Sequence, residues 1–235
     1  MNTVLLFESD FISGDTVRFT GRRLNHIRSV IGSRRGDELK IGLLNGRMGS
    51  GSIRFIDETS CEMKVVLNSE PPSPLPCTLV LAMPRPKSLK KALEAAVVLG
   101  VKKVFIIQSW RVEKSYWSSP VLTVSSLNEI MYLGLEQAGD TVLPKIEIRR
   151  RFKPFVEDEF CDLASDTEAL VAHPEADAVM PHDIGRPVTL VIGPEGGFIP
   201  FEVELLEKYG CRSVSFSERI LRVEHAVSAF LGRLF

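Results

Sequence analysis

The stretch that decides the fold runs from Thr189 to Gly210, TLVIGPEGGFIPFEVELLEKYG. It reads as a buried strand, a Gly/Pro-rich turn and then an amphipathic helix. A glycine turn between strand and helix usually serves an anion, because the helix N-terminus offers backbone N–H groups. This one is poorly built for phosphate. It has neither the lysine and hydroxyl of a P-loop nor GxGxxG spacing. Pro194 removes a donor and Glu195 would repel an anion. Gly196 and Gly197 suit a backbone that takes unusual dihedrals and passes close to an uncharged or cationic ligand, although a plain connecting turn uses the same residues.

Working outward, the same alternation repeats. CTLVLAM (77–83), KKVFIIQS (102–109), EALVAH (168–173) and SVSFS (213–217) read as strands. KSLKKALEAAVVLG (87–100) is a helix closed by Gly100, and TVSSLNEIMYLGLEQAG (123–139) is a helix with Ser125 or Ser126 as its cap. A last helix covers Glu224 to Leu234. Strand and helix in alternation imply an α/β domain with a parallel sheet covered on both faces, where ligands sit at the carboxyl ends of strands. IGPEGGF lies at such an end.

Upstream, SEPPSPLPC (69–77) holds four prolines in six residues, which favours an extended connector. Two domains are expected, 1–70 and 77–235, with a linker at 71–76. The first reads as a small β-barrel of short strands around one helix, GRRLNHIRSVI (21–31). Residues 18–54 hold nine Arg or Lys against Asp37 and Glu38, a segment of net +7 suited to phosphate backbones or to a solvated basic surface. KIEIRRRFK (145–153) reads as solvated surface beside an acidic stretch.

The whole chain of 235 residues carries a net charge of −1, which excludes a uniformly cationic nucleic-acid binder. Disordered and collagen-like compositions are excluded as well. No signal peptide or membrane-length apolar run is present, so a cytoplasmic protein without a membrane partner is expected. Cys61, Cys77, Cys161 and Cys211 form no CxxC pair, so neither a metal site nor a disulfide framework is expected.

LVIGPEGGF (190–198) followed by RILRVEHAVSA (219–229) resembles the small-subunit (16S) ribosomal RNA uridine-N3 methyltransferase family of the SPOUT superfamily. LNHIRSV, RRGDELKI, LGVKKV, QSWR, LEQAG and LPKI extend the resemblance in order along nearly the whole chain. It implies a PUA-like, RNA-binding first domain and a second domain ending in a trefoil knot, an exception to the rule against knotted connections. It further implies S-adenosylmethionine held by Leu170, Ile192, Gly193, Glu195, Gly196, Gly197, Ser215, Phe216, Ile220, Leu221, Arg222 and Ala226. Ribosomal RNA or the small subunit is the implied partner, bound in the first domain through Arg22, Arg23, Arg28 and Arg34, and a homodimer is the implied assembly.

Arg222 and Glu224 are the candidate catalytic residues. Arg222 either contacts the uracil or its phosphate or forms an ion pair with Glu224 or Glu195. Glu224 either accepts the imide proton or caps the last helix. Trp110, Tyr116 and Trp117 are aromatic candidates for stacking on a base, as well as for core or dimer contacts. The family tends to place glycine at Ser217 and threonine at His225. Three other readings share these features: a sister SPOUT enzyme with another target nucleotide, a non-catalytic ribosome-binding relative, and a metabolic enzyme that binds a nucleotide on the glycine loop.

Overall fold

The computed structural model describes residues 3–235, and these form two compact units. The first ends at Ser73 and also takes in Tyr132–Leu143; the second comprises Pro74–Met131 and Pro144–Phe235.

The first unit is built on β1 (Val4–Leu6), β2 (Phe11–Ser13), β3 (Thr16–Phe19), β4 (Glu38–Leu43), β5 (Met48–Ile56) and β6 (Cys61–Ser69). They form one sheet in the order β1-β4-β5-β6-β3-β2, with β1 parallel to β4 and the other pairings antiparallel. Val4 and Leu6 of β1 share a core cluster with Val17 and Phe19 of β3. In a flat sheet those strands would lie roughly 19 Å apart, so the sheet curls around a common interior. Among the described residues no ladder joins β1 to β2, so the expected barrel is a curled sheet with two edges. Between β3 and β4, α1 (Gly21–Asn25) runs into a π turn at His26–Ile31, and Leu24 and Ile27 are buried in the cluster.

The second unit contains β7 (Cys77–Ala82), α2 (Pro86–Val98), β8 (Lys103–Ile107), α3 (Val124–Ala138), β9 (Lys145–Arg149), α4 (Phe152–Phe155), α5 (Cys161–Ala164), β10 (Glu168–Ala172), β11 (Val188–Ile192), α6 (Pro200–Lys208), β12 (Arg212–Val214) and α7 (Val223–Leu234). The last turns of α3, from Tyr132, belong to the first unit. All five strand pairings are parallel, in the order β12-β10-β11-β7-β8-β9. Leu190 of β11 stands opposite Leu79 and Leu170, and all three are fully buried. Each such side chain contributes about 1.5–3 kcal/mol by burial, which is why these strands read as unbroken apolar runs.

Local signals end the helices where chemistry requires it. Pro86 opens α2 at a position whose N–H has no helical partner. Gly100 takes φ +87 just past its end, in the left-handed region open to glycine. The cap of α3 is Thr123, whose Oγ1 accepts the Ser126 N–H at 3.3 Å, and not Ser125 or Ser126. β7 has its successor β8 on one side and the later β11 on the other, so the chain's direction of travel reverses between β7 and β11. The crevice at the carboxyl ends of these two strands is where an open α/β sheet takes its ligands. Among the described residues no helix is long and apolar enough to cross a membrane.

Candidate active site

A cleft enclosing about 590 Å³, part of it open to solvent, lies at the carboxyl ends of β10 and β11. Its walls come from three segments: Ala172–Pro174 at the end of β10, the turn 192–197 at the end of β11, and 216–230 running into α7. The turn is closed by the Gly197 N–H donating to the Pro194 carbonyl at 2.8 Å. Gly197 takes φ +70, and a Cβ there would meet nothing within 4 Å, so its requirement is conformational. The walls are mostly apolar, from Ile192, Phe216, Leu221, Val223 and Phe230, with Glu195, Arg219 and His173 as polar groups.

Ile192, Gly193, Glu195, Gly197, Phe216, Ile220, Leu221 and Ala226 therefore come together on one cleft. Four other expected residues do not line it. Leu170 is fully buried in the middle of β10, two residues too early to reach the strand's end. Gly196 faces the other way: its carbonyl accepts from Arg111, and a Cβ there would stand 3.1 Å from that side chain. Ser215 is tied to residues 178–180, its N–H donating to the Ala178 carbonyl at 2.8 Å. Arg222 opens onto a different cleft.

The residues that sequence reasoning missed are Ala172, His173, Pro174, Pro194, Ser217, Arg219, Val223 and Phe230. The usable signal was position, since His173 and Pro174 directly follow a strand of the parallel sheet and Arg219 opens the RILR motif. Ser217 does not take a positive φ, so the turn has no need of a glycine there. Its hydroxyl instead accepts the Arg219 N–H at 3.1 Å.

The second cleft, about 960 Å³ with its solvent-open part, is lined by Arg85, Pro86, Lys87, Ser88, Lys91, Tyr116, Arg222 and Glu224. Arg222 precedes α7 in extended conformation and is exposed. Glu224 sits in the first turn of α7, its side chain 10% exposed, with Oε1 4.0 Å from Lys91 Nζ. Its own backbone N–H holds its pKa below the usual carboxylate value; the Ser88 hydroxyl, Lys91 and His225 act in the same direction, against the opposing effect of burial. Tyr116, and after it Glu195, push the Arg85 pKa up. The two clefts are linked, because the Arg85 N–H donates to Glu195 Oε1 at 3.0 Å.

The arginines of the first unit divide into two groups. Arg23 is not a free RNA contact: it forms a bidentate pair with buried Asp10, also donates to the Leu5 carbonyl, and packs on the Phe7 and Phe19 rings. Arg22 makes two hydrogen bonds to Glu136, at 2.9 and 3.1 Å. Arg18 and Arg47 pair with Glu62 and Glu70, so four of the nine cations are matched by carboxylates outside the segment. Arg28 and Arg34 remain exposed and line a surface cleft with Arg35.

Of the aromatic candidates, Tyr116 lines the basic cleft and Trp110 lines a further one with Gln108, Phe152 and Ile199. Trp117 donates to Gln108 and lies under Arg150, while the Trp110 side chain is 79% exposed. Among the described residues no group of three or more His, Cys, Asp or Glu could hold a metal ion.

The chain is similar to known proteins over nearly its whole length. The ribosomal RNA small subunit methyltransferase E of Treponema pallidum is 28% identical over 237 residues, covering 97% of this chain and 88% of that protein. Its counterpart from Borreliella burgdorferi, methyltransferase E 1, is 24% identical over 97% of this chain and 95% of its own. Among solved structures, the methyltransferase E from Neisseria gonorrhoeae bound to S-adenosyl methionine superposes with TM-score 0.75 at 19% identity, covering 97% of this chain and 95% of that one. A probable rRNA methyltransferase from Porphyromonas gingivalis gives 0.71 at 24% identity, with 97% and 95% covered. The model of the RNA methyltransferase domain matches residues 71–234, more than two thirds of the chain, and the protein belongs to that family.

Proposed function

We propose that the protein transfers a methyl group from S-adenosylmethionine to N3 of a uridine in 16S ribosomal RNA of the small subunit. The observation that carries this reading is the segment 219–224, whose residues separate two clefts. Arg219, Ile220, Leu221 and Val223 line the mostly apolar one, and Arg222 and Glu224 line the basic one. The two clefts meet where the Arg85 N–H of the basic one donates to Glu195 Oε1 of the apolar one at 3.0 Å, and in this reading the methyl donor and the acceptor face each other at that junction.

The apolar cleft fits the cofactor. Its apolar walls suit an adenosine, and Glu195 and Arg219 offer opposite charges to the amine and carboxylate of the methionine part. Bound there, S-adenosylmethionine would supply a methyl on a cationic sulfur, the S–CH₃ bond being exchanged for an N–CH₃ bond with a neutral thioether left behind, while the imide proton passes to the Glu224 carboxylate. Arg222 stabilises the negative charge that builds on the uracil as that proton departs. Arg28 and Arg34 draw the RNA backbone to the first unit, in which we read a PUA-like domain over residues 1–70, with 71–76 as linker and 77–235 as the methyltransferase domain.

Two further features belong to this reading. The C-terminal segment forms the trefoil knot, consistent with α7 packing on α2 and β11 and with the Val179–Ser215 bridge that ties the 215–222 loop to the preceding chain. The working form is a homodimer, in keeping with exposed Ile220 on the cofactor cleft and exposed Val179 on the bridge to Ser215, 82% and 59% accessible. The test is Arg222→Ala, assayed by calorimetry with S-adenosylmethionine and by methyl transfer to unmethylated small-subunit RNA. Near-normal cofactor affinity with most transfer lost supports the assignment; unchanged turnover removes Arg222 from the chemistry.

A further inference from the structure

Among the described residues, one buried side-chain oxygen at the basic cleft has no hydrogen-bond partner. It is Glu224 Oε2, shielded from solvent in a carboxylate that otherwise receives its own backbone N–H and the Ser88 hydroxyl and stands among cations. A buried carboxylate oxygen left unpaired is costly, so it is a place where a ligand donor is expected. Around it are Lys91, with its side chain 67% exposed and its ammonium at the outer limit of an ion pair, and Arg85, Ser88, Tyr116 and Arg222. The Lys91 stem is flexible enough to bring the ammonium onto an incoming carbonyl oxygen.

We infer that this cleft seats the acceptor nucleotide, with Glu224 Oε2 accepting the ring N–H of a uracil, Lys91 donating to a flanking carbonyl, and Arg85 holding a phosphate. The inference rests on the methyltransferase reading and deepens it by assigning base recognition to α2. The pattern is selective. At ring position 3 uracil carries an N–H, which a carboxylate accepts, whereas cytosine carries a bare nitrogen, which a carboxylate repels. Tyr116 supplies an aromatic face at the same cleft, of the kind on which extruded bases stack. The surplus of cations over the single carboxylate matches an anionic ligand.

The test uses the full-length protein and an RNA carrying 4-thiouridine at the methylated position, photocrosslinked and mapped by peptide mass spectrometry. The crosslink is expected on residues 85–91 or on Tyr116, and uridine 5′-monophosphate should compete with it at least tenfold better than cytidine 5′-monophosphate. Lys91→Ala and the isosteric Glu224→Gln should each lower transfer to RNA at least tenfold while S-adenosylmethionine affinity stays within twofold. Crosslinks confined to other segments, or equal competition by the two nucleotides, would overturn the inference. Normal transfer by both variants would do the same and leave the methyltransferase reading intact. Crosslinking to α2 in a protein that transfers no methyl would instead uphold the cleft and remove the reading it rests on.

Discussion

Arg23 and Arg34 lie in the same basic segment, yet one is a structural residue and the other a surface charge. Arg23 is 17% exposed at its side chain and is locked to Asp10, which is 8% exposed. Removing one partner of a buried pair leaves the other charge uncompensated. Arg23→Ala is therefore expected to lower stability by about 3 kcal/mol in urea titration, whereas Arg34→Ala should stay within about 0.5 kcal/mol. The sequence displayed the positive charge but not its partners, because Asp10 and Glu136 reach the arginines only through the fold. At the glycine turn the same limit applies. The pair was legible as a tight turn, but which glycine faces the cleft depends on Arg111, a residue distant in sequence. Gly197→Val should strain the left-handed backbone by about 1–3 kcal/mol and weaken cofactor binding measured by calorimetry; Gly196→Val should leave that affinity within a few-fold.

At the scale of elements, the apolar strands of the parallel sheet announced themselves because burial on both faces removes alternation. The joint between β8 and α6 did not. Glu202, 3% exposed in the first turn of α6, accepts from the Ser109 hydroxyl at 3.1 Å and from the Trp110 and Ile199 N–H groups at 2.8 and 3.0 Å. It fixes the loop that follows β8 to the helix that follows the glycine turn. Glu202→Ala would leave those donors without their shared acceptor, and a loss of roughly 2–4 kcal/mol is expected in thermal or chemical unfolding. A change under about 0.5 kcal/mol would show that water replaces the carboxylate without penalty. Nothing local marked this role, since an acidic residue in the first turn of a helix is ordinary. The cap of α3 was misplaced for a similar reason: three hydroxyl residues, Thr123, Ser125 and Ser126, lie together, and only the backbone decides which one accepts.

At the scale of the whole molecule, the Pro-rich stretch was legible as a connector, but the inclusion of Tyr132–Leu143 in the first unit was not. The Thr3 N–H donates to the Glu136 carbonyl and the Asn45 N–H to the Thr141 carbonyl, so segments about a hundred residues apart in sequence meet there. The charge balance changes accordingly. With Arg18, Arg22, Arg23 and Arg47 matched, RNA binding by the first unit should depend on Arg28, Arg34 and Arg35. Reversing these three to Glu should flatten the salt dependence of RNA affinity, by about 0.7–0.9 in log–log slope for each phosphate no longer neutralised. An unchanged slope would make that cluster plain surface. The most direct test of the central claim is nucleoside mass spectrometry of unmethylated small-subunit RNA, in assembled subunits, after incubation with the protein and methyl-labelled S-adenosylmethionine. The account predicts label in 3-methyluridine at a single site, and a labelled nucleoside of any other kind, or no label at all, would contradict it.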